Sequence, residues 1–126
     1  KNEVLIFAFL SLRNQNFDRT EKILKLIKNP KSALIRKQQG FFYYLHGLIQ
    51  SQKNLTIAEK HFRESLKLGL SMKHDLAMAK LSLAGIMMQK RRKREAQVLL
   101  TEAKSYDTHN MLTAQIKLMQ EQMKRI

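Results

Sequence analysis

The feature that most constrains the fold is a short side-chain pattern that recurs twice along the chain at a fixed interval. A small residue is followed four positions later by a bulky apolar residue, and another packing residue stands three positions after the bulky one. Successive small residues lie 38 positions apart in both cases. Steps of four and three place each trio on one face of a helix. The trios are Thr20, Leu24 and Ile27; Ala58, Phe62 and Ser65; and Ala96, Leu100 and Ala103.

Each trio follows a second stretch of helical character, at residues 4–14, 33–52 and 76–89. The second and third of these stretches have a small residue near the centre, Gly47 and Ala84. A small residue there lets a neighbouring helix approach closely, and glycine within a helix usually has such a packing reason because it costs ~1 kcal/mol against alanine. The sequence therefore predicts three helical hairpins.

Capping signals agree with these boundaries. Asp18 with Glu21, and Thr56 with Glu59, have the spacing of a capping box. Asp75 precedes the third stretch and is predicted to be its N-cap. These positions predict where three of the helices begin.

The end of the chain is predicted to be a capping helix. Residues 111–126 carry an apolar stripe with alternating steps of four and three, which is typical of one long helix. An uncapped last repeat would expose its apolar face. Pro30 and Gly69 separate the hairpins, which gives one domain with units at 1–30, 31–72 and 73–107 and a cap at 108–126. The stripe consists of Leu112, Ile116, Met119, Met123 and Ile126.

In these residues the sequence resembles the tetratricopeptide repeat family. The resemblance implies an all-α fold: a right-handed superhelical array of antiparallel helix hairpins, an α-solenoid of about seven helices. The 38-residue interval exceeds the family's ~34 residues, which implies longer helices or links. The third unit matches through Leu83, Ala84, Met87, Ala96, Leu100 and Ala103. The second unit, with one residue fewer in its turn, matches through Tyr43, Gly47, Ala58 and Phe62. The first matches through Phe7, Ala8, Phe17, Thr20 and Leu24.

The resemblance also implies a function in protein binding, because the family has no shared enzymatic activity and presents a concave face to peptides or helices. The carboxylate clamp of one subclass is excluded, since its positions here are Leu5, Phe9, Leu45, Met78 and Ser82. An apolar concave face suits an amphipathic helix or a hydrophobic peptide. Alternatively, these side chains pack among themselves or the terminal helix fills the groove. The predicted partner-binding residues are Leu5, Phe9, Leu12, Phe41, Tyr44, Leu48, Met78, Leu81 and Met88.

The chain is strongly basic, with a formal net charge of +14, and five cations stand in a row. They fall in the predicted turn of the third hairpin, where the last two oppose the dipole of the following helix. The run predicts an anion site, such as an anionic membrane surface; the alternative is a solvated loop. Nucleic acid is less favoured because no aromatic residue interleaves with the cations. The run is Lys90, Arg91, Arg92, Lys93 and Arg94.

No catalytic, metal or cofactor motif is found. The chain has no cysteine, its four histidines are scattered without i, i+4 spacing, and it has no glycine-rich phosphate loop. The apolar run 4–12 is too short to span a bilayer. We therefore expect a cofactor-free interaction protein that binds a protein, a peptide or a second copy of itself. Because the chain begins with Lys1, we expect a fragment of a longer cytoplasmic protein, with a membrane tether upstream as a variant of this interpretation.

Overall fold

In a computed structural model, which describes residues 2–107 and 109–125, the described residues form helices and no strand. The prediction of an all-α chain is confirmed. The described helices number eight rather than seven, because Pro30 begins an additional short helix. The helices are α1 (Asn2–Arg13), α2 (Phe17–Leu24), α3 (Pro30–Ala33), α4 (Arg36–Gln50), α5 (Leu55–Leu68), α6 (Lys73–Gln89), α7 (Lys93–Tyr106) and α8 (Thr113–Lys124).

The chain divides into two compact units, Lys1–Leu70 and Ser71–Ile126. In the first unit, α1 pairs with α2 and α4 pairs with α5, in each case across a short turn, as in an αα-hairpin. The helices α1, α2 and α3 all pack against α4, which is therefore the central helix of this unit. Its apolar core comprises Leu5, Ala8, Leu24, Ile27, Leu34, Phe42, Tyr44, Leu45, Ile49, Ala58, Phe62 and Leu70.

Close approach of α4 to α5 depends on glycine at two places. A Cβ added at Gly47 would lie 2.8 Å from the Phe62 ring, so the predicted packing role of Gly47 is confirmed. A Cβ added at Gly40 would overlap the carbonyl oxygen of Gly69, the residue that ends α5 with φ of 98°. The buried Ser65 hydroxyl Oγ also donates a 2.6 Å hydrogen bond to the Gly40 carbonyl. The start of α4 and the end of α5 therefore meet through main-chain atoms.

In the second unit, α6 pairs with α7, and α8 packs against both. A polar contact supports the hairpin at one side, where Lys80 Nζ lies 3.2 Å from a carboxylate oxygen of Glu102. The described residues of the predicted terminal stripe face this core: Leu112, Ile116 and Met123 are buried, whereas Ile126 lies outside the described residues. The core comprises Ala77, Ala79, Leu81, Leu83, Ala84, Ile86, Met87, Ala96, Leu99, Leu100, Ala103, Leu112, Ile116 and Met123.

The three trios predicted from the 38-residue interval are all buried, at 7% exposure or less. The prediction that each trio is a packing face is therefore confirmed. The helices that carry them, α2, α5 and α7, begin at Phe17, Leu55 and Lys93, so their first residues are also 38 positions apart. Side-chain pattern and helix boundaries thus repeat with the same interval.

The predicted N-caps are wrong at all three helices. The cap of α2 is Asn16, whose side chain accepts from the Arg19 amide, and the cap of α5 is Asn54, whose side chain accepts from two amides. Each asparagine precedes the residues with capping-box spacing and takes the free amides first. Asp75 lies inside the first turn of α6, which begins after Met72 without a side-chain cap.

The turns after α1 and α6 have the same backbone geometry. Gln15 and Arg91 have φ of 58° and 61°, in the left-handed region that glycine prefers. The Arg91 amide donates to the Met88 carbonyl and the next amide donates to the Met87 carbonyl, as in a Schellman motif, and the turn at Gln15 has the equivalent pair of bonds. The second hairpin has four residues in its turn (51–54) against three in the other two, so the prediction of one residue fewer there is wrong, and none of these four residues is left-handed.

We expect the substitution Arg91→Gly to stabilise the second unit by about 0.5–1 kcal/mol, because glycine adopts the left-handed conformation without the steric cost of a Cβ. Urea unfolding followed by circular dichroism measures this difference. The control is Arg91→Ala, which removes the same charge but keeps the Cβ. Equal stabilisation by both variants would attribute the gain to lost charge repulsion and contradict the prediction.

Candidate functional site

The nine predicted partner-binding residues are only partly accessible. Leu5, Tyr44 and Leu81 are 1%, 4% and 6% exposed, so they contribute to the core of their unit. The other six are partly exposed: Phe9, Leu12, Phe41, Leu48, Met78 and Met88. Three of the nine therefore have almost no surface to offer a partner in this conformation.

In the first unit, the predicted aromatic residues contact one another. The ring centroids of Phe9 and Phe41 are 5.8 Å apart, and those of Phe41 and Tyr44 are 6.0 Å apart. The Arg13 guanidinium lies 6.0 Å from the centre of the Phe9 ring. The contact between Phe9 and Phe41 joins α1 to α4, and aromatic pairs contribute about 0.5–1.5 kcal/mol beyond their burial. Mutual packing, the alternative to an open apolar groove, accounts for this part of the predicted face.

A different face of the first hairpin is open. Phe7, Leu10 and Leu26 are 61%, 45% and 70% exposed, although side chains of this kind are usually buried. They belong to a groove of about 520 Å³ between α1 and α2, within the size range of ligand-binding clefts. The groove is lined by Val4, Phe7, Leu10, Ser11, Asn14, Asn16, Arg19, Ile23 and Leu26. None of these residues is among the nine predicted from the sequence.

The groove, here called the α1–α2 groove, has an apolar centre and a polar end. Asn14, Asn16 and Arg19 lie at the end next to the turn. The Asn16 side chain is already engaged in capping α2, which fixes its position. Beyond Leu26 a second cavity of about 290 Å³ continues toward α3 and shares Val4 and Leu26 with the first. The open apolar surface therefore extends past the end of α2.

Comparison with the third hairpin shows that the equivalent face is buried there. Counted from the equivalent left-handed residues Gln15 and Arg91, Phe7 corresponds to Leu83 and Leu10 corresponds to Ile86. Leu83 and Ile86 are 1% and 3% exposed. The α1–α2 groove is thus the exposed counterpart of a face that is buried on α6.

Sequence periodicity missed this groove because α1 is apolar on every side. A stripe identifies a buried face only where polar residues mark the opposite face. Residues 4–10 contain no charged or polar side chain, so the pattern does not say which side meets solvent. The available signal was this absence of a polar face on α1, which indicates that something covers the helix all round.

The predicted basic run has the predicted position, in the turn between α6 and α7. Lys90 ends α6 and is half-buried, whereas the other four cations are exposed. Arg91 is the left-handed turn residue, Arg92 precedes α7, and Lys93 and Arg94 are its first residues. Lys93 also lines a groove with Lys124, the last residue of α8, which the sequence pattern did not associate with the run.

Two of the scattered histidines meet across the second hairpin. The rings of His46 on α4 and His61 on α5 lie 5.4 Å apart, and His46 also packs edge-on against Phe42 at 4.6 Å. Burial, with a smaller contribution from His61, lowers the pKa of His46 to about 4. Burial also lowers the pKa of His61. Within residues 2–107 and 109–125, no three His, Cys, Asp or Glu side chains are placed to hold a metal ion.

Fold and site together define an all-helical chain with an open apolar groove on its first hairpin and a basic turn in its third. Comparison of the chain with protein-family models, with curated proteins and with solved structures finds no match. None of the helices within the described parts of the chain has both the length and the apolar character needed to cross a membrane.

Proposed function

We propose that this chain is a non-catalytic interaction module, built from tetratricopeptide-like hairpins, that binds an amphipathic helix of a partner protein in the α1–α2 groove. One observation carries the proposal: Phe7 and Leu10 are 61% and 45% exposed, whereas their counterparts Leu83 and Ile86 are buried. The 38-residue interval shared by the side-chain trios and the helix starts supports the repeat interpretation.

The packing of the first unit supports a helix as the occupant. On α4, Ile49, the counterpart of Leu10 when Gly47 is matched to Ala8, is fully buried, whereas His46, the counterpart of Phe7, is half-buried. The helices α1, α2 and α3 pack against α4. A helix that packs in the α1–α2 groove would repeat this arrangement with a stripe of apolar residues at positions i, i+3, i+4 and i+7. Helix-in-groove recognition therefore uses the packing already present within the chain.

Charge supports an acidic partner over a second copy of this chain. Arg13 and Arg19 are exposed close to the turn between α1 and α2, where Asp18 is the exposed carboxylate. Lys22 is exposed in the last turn of α2, and the acidic Glu3 is in the first turn of α1. Two chains with a formal net charge of +14 would repel each other as they approach. The favoured occupant is an amphipathic helix with Asp or Glu beside its apolar stripe.

The test uses a fluorescently labelled helical peptide with a leucine stripe flanked by glutamates, and a scrambled peptide of the same composition. We expect fluorescence anisotropy to show binding of the striped peptide, and the double variant Phe7→Glu/Leu10→Glu to weaken it at least about tenfold, since residues at the centre of an interface dominate its affinity. The matched control is Val98→Glu/Leu118→Glu, which changes two exposed apolar residues of the second unit, 54% and 58% exposed.

Equal binding of the scrambled peptide, or equal weakening by the control variant, would contradict the proposal. Sedimentation of the unmodified chain is the second measurement. A dimer that the Phe7→Glu/Leu10→Glu variant abolishes would identify a second copy, rather than a partner's helix, as the occupant of the groove.

A further inference from the structure

A polar groove in the second unit combines residues from the start of α7 and the end of α8. Its volume is about 450 Å³. Lys93 is the first residue of α7 and Lys124 is the last of α8, so the packing of these two helices brings them to one groove. The groove, here called the α7–α8 groove, is lined by Lys93, Gln97, Leu100, Thr101, Gln120, Met123 and Lys124.

The polar residues of the groove follow the edge of each helix. On α7 the exposed residues Lys93, Gln97 and Thr101 recur in steps of four, and Lys104 continues this stripe one turn further. On α8, Gln120 and Lys124 have the same spacing. Among the residues that the structure describes, no carboxylate lines the groove. The walls therefore present ammonium, amide and hydroxyl groups without a neutralising acid.

The shape and floor of the groove narrow the class of ligand. Leu100 and Met123 form its floor but are 0% and 3% exposed, so an apolar stripe has little surface to contact. The α7 edge of the groove, from Lys93 to Thr101, covers about 12 Å of helix, which suits a polymer of spaced charges better than a single small anion. A concave groove surrounds an extended polymer chain, whereas binding to a lipid surface requires a flat or convex patch on the protein.

We propose that the α7–α8 groove binds the phosphate backbone of a single-stranded nucleic acid. Lys93 and Lys124 contact phosphates, while the side-chain amides of Gln97 and Gln120 donate hydrogen bonds beside them. The exposed Arg91 and Arg94 extend the positive surface beside Lys93. Because no aromatic residue lines the groove, binding is through the backbone and independent of base sequence. This site is in the second unit and does not rest on the proposed function of the α1–α2 groove.

The experiment measures anisotropy of fluorescein-labelled oligothymidine and oligouridine from 50 to 300 mM KCl. We expect both to bind the unmodified chain at low salt, with affinity that falls linearly in log–log form as salt rises. The double variant Lys93→Gln/Lys124→Gln should weaken binding about tenfold at 50 mM KCl. It should also reduce the slope of log affinity against log salt concentration by about 1.4, the value expected for two fewer phosphate contacts to a single strand.

The matched control is Lys37→Gln/Lys60→Gln, which removes two exposed lysines of the first unit and the same net charge. We expect this variant to retain both the affinity and the slope of the unmodified chain, and circular dichroism to show that both variants keep their helix content. Equal weakening by the two variants would reduce the effect to overall charge and overturn the proposal. Absence of binding at 50 mM KCl would also overturn it. So would binding to vesicles containing phosphatidylserine, sensitive to the groove variant, without binding to either oligonucleotide.

Discussion

Replacing Gly40 with alanine is expected to destabilise the unit formed by residues 1–70 by about 3 kcal/mol or more, and to lower its melting temperature by on the order of 10 °C or more. The added Cβ would overlap the Gly69 carbonyl oxygen and lie 3.3 Å from the Ser65 carbonyl oxygen. Both are main-chain atoms, so no flexible side chain can move aside. Relief requires α4 to separate from the end of α5, which also breaks the buried hydrogen bond from Ser65 to Gly40.

Hydrogen exchange resolved by mass spectrometry is the suitable measurement, because it reports the two units separately. The matched control is Gly85→Ala, also within a helix, where a Cβ would meet only the end of the Met119 side chain at the ordinary distance of 3.7 Å. Gly85→Ala is expected to stabilise the second unit by up to about 1 kcal/mol through helix propensity. Unchanged protection of α4 and α5 in the Gly40→Ala variant would show that the main-chain contact is not present in solution.

The stability of the first unit is expected to fall as the pH is lowered from about 7 to 4. The pKa of His46 is about 4 in the folded chain, against 6.5 for an unperturbed histidine. Between these two pH values the folded state therefore binds fewer protons than the unfolded state. The contribution of His46 to stability is fully present above the pKa of the unfolded state and is lost as the pH falls toward the pKa of the folded state. This difference in the pKa of His46 corresponds to a loss of at most about 3 kcal/mol in the free energy of unfolding. The lowered pKa values of His61 and Glu21 act in the same direction.

Urea unfolding at a series of pH values, followed by the fluorescence of the tyrosines, measures this dependence. The variant His46→Phe keeps an aromatic ring against Phe42 and removes the titrating group, so its stability should vary less between pH 6.5 and 4. The control His109→Gln changes an exposed histidine of the other unit and should retain the dependence of the unmodified chain. Parallel pH profiles for His46→Phe and the unmodified chain would assign the acid sensitivity to other groups.

Local sequence information was sufficient for the packing faces of the hairpins. The small residues Thr20, Ala58 and Ala96 and the bulky residues that follow them are buried as their spacing predicts, because a helical period relates positions within one element. The position of the basic run in a turn was predictable for the same reason. Capping was not predictable in this way, since Asn16 and Asn54 cap α2 and α5 in place of Asp18 and Thr56.

Contacts between helices depend on relations that a single helical period does not contain. The contact of Gly40 with Gly69, and the meeting of Lys93 with Lys124, join positions far apart in sequence. The α1–α2 groove was missed for a different reason. Val4, Phe7 and Leu10 stand on a helix without a polar side, where periodicity does not distinguish an exposed apolar face from a buried one.

The main-chain contact at Gly40 has a consequence for how this hairpin can change over evolutionary time. Since the main chains of the two helices touch there, with only the small Ser65 side chain bonded between them, the spacing of their axes at that end does not depend on the volume of any large residue. Substitutions at buried positions such as Phe42 or Leu45 would alter the packing density around them, while the distance between the helix axes stays the same. Related chains are therefore expected to differ widely in their apolar residues and to retain Gly40, Ser65 and Gly69.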